Sequence, residues 1–190
     1  MELLEKANGL VQEFETTIAS PKTLGPNTKL YTGVDLGTAY VAVAGVDERG
    51  NPVGGAMHFA QVVRDGLVVD YIGAVDIVKT LKAQLEEKLG QELELAGVAY
   101  PPGTAPGDRK SIQYVAEGAG FTVVTQVDEP TAANQVLGIK NGAVVDIGGG
   151  TTGIAIINDG QVVYTADEPS GGTHLSLVVA GAYNIPFLEA

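Results

Sequence analysis

Apolar positions along this chain follow two rhythms. Near the start, Leu3, Leu4, Ala7, Leu10, Val11, Phe14 and Ile18 recur every three or four residues. That spacing predicts an amphipathic helix over residues 1–19, with Glu2, Glu5, Lys6, Gln12, Glu13 and Glu15 on its polar face. Residues 20–29, SPKTLGPNTK, mix proline and glycine with polar side chains and predict a linker. From residue 30 short apolar runs bounded by turn residues take over. Leu30–Leu36, Ala39–Val46 and Val53–Val63 read as strands, followed by a turn at Arg64-Asp65-Gly66 and a short strand at Leu67–Tyr71. Helical spacing returns in Asp76–Leu89, which Gly90 stops, and in Asp108–Ala119. Strands at Leu93–Ala99 and Phe121–Val127 are interleaved with these helices. A further helix opens at Asp128-Glu129-Pro130, where Pro130 suits a first turn and Asp128 a cap. Ala143–Ile157 and Val162–Thr165 predict three more strands, and Leu175–Tyr183 a last helix closed by Pro186. Strands alternating with helices imply an α/β protein built on a mixed sheet.

Within that pattern one motif occurs twice. Val34-Asp35-Leu36-Gly37-Thr38 lines up with Val145-Asp146-Ile147-Gly148 and then Thr151, the second copy carrying extra glycines at 149 and 150. Each copy joins two apolar strands and is followed by a turn and a third strand. Such internal repetition predicts two related lobes, residues 30–140 and 141–190. Glycines lack a Cβ, so the amides around Gly37 and at Gly148, Gly149 and Gly150 can close on an anion such as a phosphate chain. Asp35 and Asp146, each ending a strand, suit a hydrated Mg²⁺. Either copy alone also reads as a tight acidic hairpin with no ligand. Glu129 stands at the strand-to-helix corner before the crossing into the second lobe. It can orient a water there, or serve simply as a first-turn residue. Ser170-Gly171-Gly172-Thr173-His174 begins the last helix, and the amides of Gly171 and Gly172 can approach a phosphate or ribose. Helix capping by Ser170 or Thr173 is the alternative.

Bulk composition narrows the field. The 190 residues carry a formal net charge of −12, which argues against nucleic acid or an anionic membrane surface as partner. With no cysteine, disulfide scaffolds, thiolate zinc sites and cysteine nucleophiles are excluded. His58 and His174 lack metal-ligand spacing and read as structural. No apolar run approaches the ~18 residues of a membrane span, and no signal-peptide pattern opens the chain, so a soluble cytoplasmic protein is expected.

Together, Asp35-Leu36-Gly37-Thr38, the DEPTAA run Asp128–Ala133 and the DIGGGTT run Asp146–Thr152 resemble the first phosphate, first connecting and second phosphate motifs of the actin-like ATPase superfamily. The resemblance spans residues 30–175. It implies a ribonuclease H-like fold, with a mixed five-stranded sheet flanked by helices and a partial second lobe. It also implies Mg²⁺ held by Asp35 and Asp146, mainly through water. ATP or ADP phosphates would lie against Gly37, Thr38, Gly148, Gly149, Gly150, Thr151, Gly171 and Gly172, with catalysis through Glu129 and Asp146. Chaperones of this superfamily place a lysine near the terminal phosphate, yet no motif assigns one here; Lys79 and Lys82 fall on a helix. Within the superfamily the chain is most similar to a short chaperone-like branch linked to ethanolamine utilisation and bacterial microcompartments. The implied role is an ATPase-type chaperone or assembly factor, with a non-hydrolysing scaffold and a small-molecule kinase as alternatives. The second connecting and adenosine motifs do not follow residue 175. A truncated second lobe is therefore expected, with weak or absent nucleotide binding and exposed apolar surface that favours a homo-oligomer, most simply a dimer.

Overall fold

Period-two alternation builds the centre of the molecule. In the computed structural model, which describes residues 2–25, 28–64 and 66–190, buried Leu30, Thr32, Val34 and Leu36 alternate with accessible positions along the first strand. Met1, Pro26 and Asn27 of the expected helix and linker, and Asp65 of the expected turn, lie outside the described residues.

In chain order the elements are α1 (Glu2–Ala19), β1 (Leu30–Leu36), β2 (Tyr40–Asp47), β3 (Pro52–Phe59), β4 (Val63–Arg64), β5 (Leu67–Val68) and α2 (Tyr71–Leu89). They continue with β6 (Leu95–Tyr100), α3 (Pro106–Gly118), β7 (Thr122–Asp128), α4 (Glu129–Leu137), β8 (Gly142–Ile147), β9 (Thr152–Asn158), β10 (Gln161–Glu168) and α5 (Gly172–Tyr183). The first sheet has five strands in the order β3-β2-β1-β6-β7. Its meander β1–β2–β3 is antiparallel, while β6 and β7 join in parallel. This is the mixed, helix-flanked five-stranded sheet that the resemblance led us to expect. A second antiparallel meander, β10-β9-β8, repeats the first.

Helices α2 and α3 pack on one face of the large sheet. Leu85 is fully buried there, its methyls against the backbone of Gly45 and Gly54. A leucine hidden this completely contributes about 2–3 kcal/mol. Helix α1 lies along β3 and reaches α4. It docks on its own domain through Ala7, Phe14 and Ile18, with Phe14 seated on Gly55, where an added Cβ would stand 2.6 Å from Cζ.

Several boundaries differ from those expected. Helix α2 starts at Tyr71, not Asp76, because the Asp70 carboxylate accepts the Gly73 amide at 2.9 Å and caps a turn read as strand. The expected strand Val53–Val63 breaks after Phe59, and its end becomes the small β4–β5 hairpin. Helix α5 keeps no residue buried: Leu175, Leu177, Val178 and Tyr183 are all exposed. Among the described residues no helix is long and apolar enough to cross a membrane.

Candidate functional site

The ladder of β1 and β2 closes at Leu36–Val41, and that of β8 and β9 at Ile147–Thr152. Each hairpin therefore has a four-residue turn, Gly37-Thr38-Ala39-Tyr40 in one and Gly148-Gly149-Gly150-Thr151 in the other. This corrects the expected alignment. Thr38 is equivalent to Gly149, and Thr151 to Tyr40; the second turn substitutes glycines and inserts none. The reason is contact between the turns. A Cβ on Gly149 would stand 2.7 Å from the Ala39 methyl, and one on Gly150 would stand 2.5 Å from Thr38 Oγ1. Side chains on both turns could not share that space. Gly37 is equally constrained, because a Cβ there would meet the Tyr40 carbonyl at 2.8 Å.

Where the turns meet, a cleft of about 200 Å³ opens. Asp35, Gly37, Thr38, Glu129, Asp146, Gly148, Gly149, Gly150 and Thr151 all line it. Small-molecule pockets usually run to about 300–1,000 Å³, so this volume suits a phosphate chain and an ion better than a whole nucleotide. Among the described residues the amides of Thr38, Gly149 and Gly150 donate to no backbone acceptor, leaving them free for an anion.

Three carboxylates crowd the cleft. Water reaches Asp35 through the opening, but protein walls it on most other sides. Burial and then the neighbouring Asp146 push its pKa up to about 6. Glu129 stands at the start of α4, where the Asp128 carboxylate accepts the Thr131 amide at 3.0 Å and fixes the corner. Burial, then the charges of Asp35, Asp146, Asp167 and Asp128, raise Glu129 to about 8. Asp146 is raised by burial. The described cleft lining includes no lysine or arginine. An acidic cluster of this kind gains from a cation, and the carboxylate oxygens are the hard donors that Mg²⁺ takes. Among the described residues no three such side chains are grouped so as to hold a metal ion directly, so the residues present fit a metal–phosphate group only with the ion held mainly through water.

Two expected residues do not join the cleft. The Gly172 amide donates to the Gly148 carbonyl at 2.8 Å, and the Gly171 amide to His174 Nδ1 at 3.1 Å. The Gly172 donor is spent on docking α5 under the second turn, and the Gly171 donor on the helix's own first turn. A Cβ on Gly171 would lie 2.5 Å from the Gly148 carbonyl oxygen, so these glycines serve close packing. His174, rather than Ser170 or Thr173, caps the helix, and is structural as expected. Lys82 pairs with Glu86 at 2.5 Å and lies over the Phe121 ring, which removes it from consideration as a phosphate ligand.

Sequence reasoning passed over Asp167 on β10. Its Oδ1 is buried without a partner, burial raises its pKa, and its charge acts on Glu129. An aspartate inside a strand, where this residue type is depleted, was the available signal. Gly66 and Pro101, which close the cleft from β4–β5 and the loop after β6, carry no such signal.

The MreB/Mbl protein family pattern matches residues 52–180. Ethanolamine utilization protein EutJ of Salmonella typhimurium is 49% identical over 164 residues, covering 86% of this chain and 58% of that protein. The crystal structure of ethanolamine utilization protein EutJ from Carboxydothermus hydrogenoformans superposes with a TM-score of 0.87 at 52% identity, covering all of this chain and 68% of that one. An MreB of Spiroplasma citri bound to ADP shares the fold, with a TM-score of 0.64 at 22% identity over 84% of this chain and 59% of that one. The chain spans about three fifths of the length of the curated relatives it matches.

Proposed function

The chain belongs to the MreB/Mbl family of actin-like ATPases, and from that premise we propose that its cleft holds the phosphates of Mg·ATP as part of a chaperone-like ATPase or assembly factor of ethanolamine utilisation. The observation that carries this reading is the meeting of two glycine turns over one cleft that also receives Asp35, Glu129 and Asp146.

Each side chain then has a role. Asp35 and Asp146 would hold a Mg²⁺ ion, mainly through water. Free amides of Thr38, Gly149 and Gly150, with the Thr38 and Thr151 hydroxyls, receive the phosphate oxygens. Glu129, in its unprotonated form, would hold an attacking water by its carboxylate. A bound Mg²⁺ would supply charge neutralisation and polarise the phosphoryl group. The ethanolamine context comes from the EutJ relatives, and association with bacterial microcompartment proteins is the partner assignment that follows from it. The exposed apolar residues of α5 favour self-association, with a dimer as the simplest form.

A second reading, a scaffold that keeps the fold without hydrolysis, is favoured by the described cleft lining, which holds three carboxylates and no lysine or arginine. Titration calorimetry with Mg·ATP, together with phosphate release, separates the two. Binding that is lost in Asp146→Ala, with phosphate release that falls at least tenfold in Glu129→Gln, supports the ATPase. Binding without release supports the scaffold. No binding by the wild-type chain and by a full-length relative sinks the ATPase and leaves the scaffold.

A further inference from the structure

The cleft's charge is out of balance for the ligand it is assigned. A triphosphate carries more negative charge than one divalent cation neutralises, and Asp35, Glu129 and Asp146 add to the excess. Firm binding of the outermost phosphoryl group calls for a fixed cation beside it.

One such side chain stands next to the cleft. Val63 and Gly66 line it from the β4–β5 hairpin, and Arg64 follows Val63 directly. Arg64 itself lines an adjoining cavity that shares Thr38, Ala39 and Val63 with the cleft. Its hairpin is pinned at the base, where the Val69 and Asp70 amides both donate to the Val62 carbonyl, at 2.9 and 3.2 Å. Among the described residues Arg64 makes no ion pair, and its side chain is exposed. Three other cations are committed elsewhere: Lys82 to Glu86, Lys22 to Glu13, and Arg109 over the Tyr100 ring at 5.1 Å.

We infer that Arg64 is the anion-binding residue for the terminal phosphate, meeting it across the Thr38 side of the first turn. The inference rests on the nucleotide reading above. Guanidinium is suited to the task because its planar fork donates two parallel hydrogen bonds to a phosphoryl group and stays charged at any working pH. A contact of that kind discriminates ATP from ADP, which lacks the outermost group.

Titration calorimetry of the full chain with Mg·ATP and Mg·ADP tests this, on the wild type, Arg64→Gln and Arg64→Lys. Arg49→Gln, on the distant β2–β3 turn, corrects for net charge. Arg64→Gln is expected to weaken ATP about 10- to 100-fold, as for a lost charge-assisted hydrogen bond, while ADP changes less than threefold. Arg64→Lys, which keeps the charge without the fork, is expected to fall between and serves alone should the glutamine variant not fold. An unchanged ATP-to-ADP ratio in the variants, with wild-type binding intact, overturns the role of Arg64 and leaves the nucleotide reading standing. Failure of the wild type to bind either nucleotide overturns that reading, and Arg64's role with it.

Discussion

Replacing Glu129 by glutamine removes the most strongly perturbed proton site in the cleft while keeping its shape. In the folded chain this carboxyl holds its proton up to about pH 8, against an ordinary value of 4.5. Between those values the folded state binds more protons than the unfolded state, so stability falls as pH rises and the loss is complete above pH 8. At about 1.4 kcal/mol per tenfold change in proton affinity, the ceiling on that loss is ~5 kcal/mol. Water in the open cleft screens the surrounding charges, which brings the expected difference to about 1–3 kcal/mol. For a chain of this size that corresponds to a melting shift of roughly 2–12 °C. Thermal melts from pH 5 to 8.5 in a metal chelator should show the wild type losing stability relative to Glu129→Gln as pH rises. Added Mg²⁺ should recover most of the loss, since a bound cation removes the reason to hold the proton. Parallel melting profiles for the two proteins, with no response to Mg²⁺, would refute the crowded-carboxylate account.

Two further substitutions probe the contacts that build the site. Gly150→Ala drives a methyl into Thr38, 2.5 Å from Oγ1 and 2.9 Å from Cβ, and should cost about 1–3 kcal/mol by overpacking. Thr38→Gly in the same chain should recover much of that loss in thermal melts, and an additive double mutant would show that the turns do not touch. Phe14→Ala removes the ring that seats α1 on Gly55 and should weaken docking by about 1–3 kcal/mol. Limited proteolysis then reads faster cutting within residues 20–25 while the five-stranded sheet resists; an unchanged cutting rate would show that the helix is held elsewhere.

Much of this arrangement was legible before any coordinates. Period-two runs located both meanders, and the paired Asp-apolar-Gly motif located both turns, because strand alternation and glycine turns are local properties of sequence. What escaped was set by contacts between segments. Gly149 and Gly150 read as an insertion, since nothing local says that the opposite turn's Ala39 and Thr38 occupy their Cβ positions. Gly171 and Gly172 read as phosphate donors because a glycine pair at a helix start looks alike whether its amides face a ligand or, as here, His174 Nδ1 and the Gly148 carbonyl. The early start of α2 was different. Asp70 followed three residues later by Gly73 is a local cap signal, and strand propensity in Val68 and Val69 outweighed it.

Two places in this chain break ordinary packing rules, and they differ in kind. Helix α5 presents apolar side chains to solvent, a breach that any apolar cover would mend. The cleft instead buries carboxylates whose pKa values rise first from burial and then from one another's charge, and no apolar partner relieves that. Only protons or a cation do. Proton release makes the cluster costlier as pH rises toward 8, so near neutral pH a metal ion and the proton on Glu129 compete for the same stabilisation. Metal entry would therefore be coupled to deprotonation of Glu129, the form in which the carboxylate can orient a water. A site that readies its own base on taking up its ion has a reason to tolerate three carboxylates in so small a space.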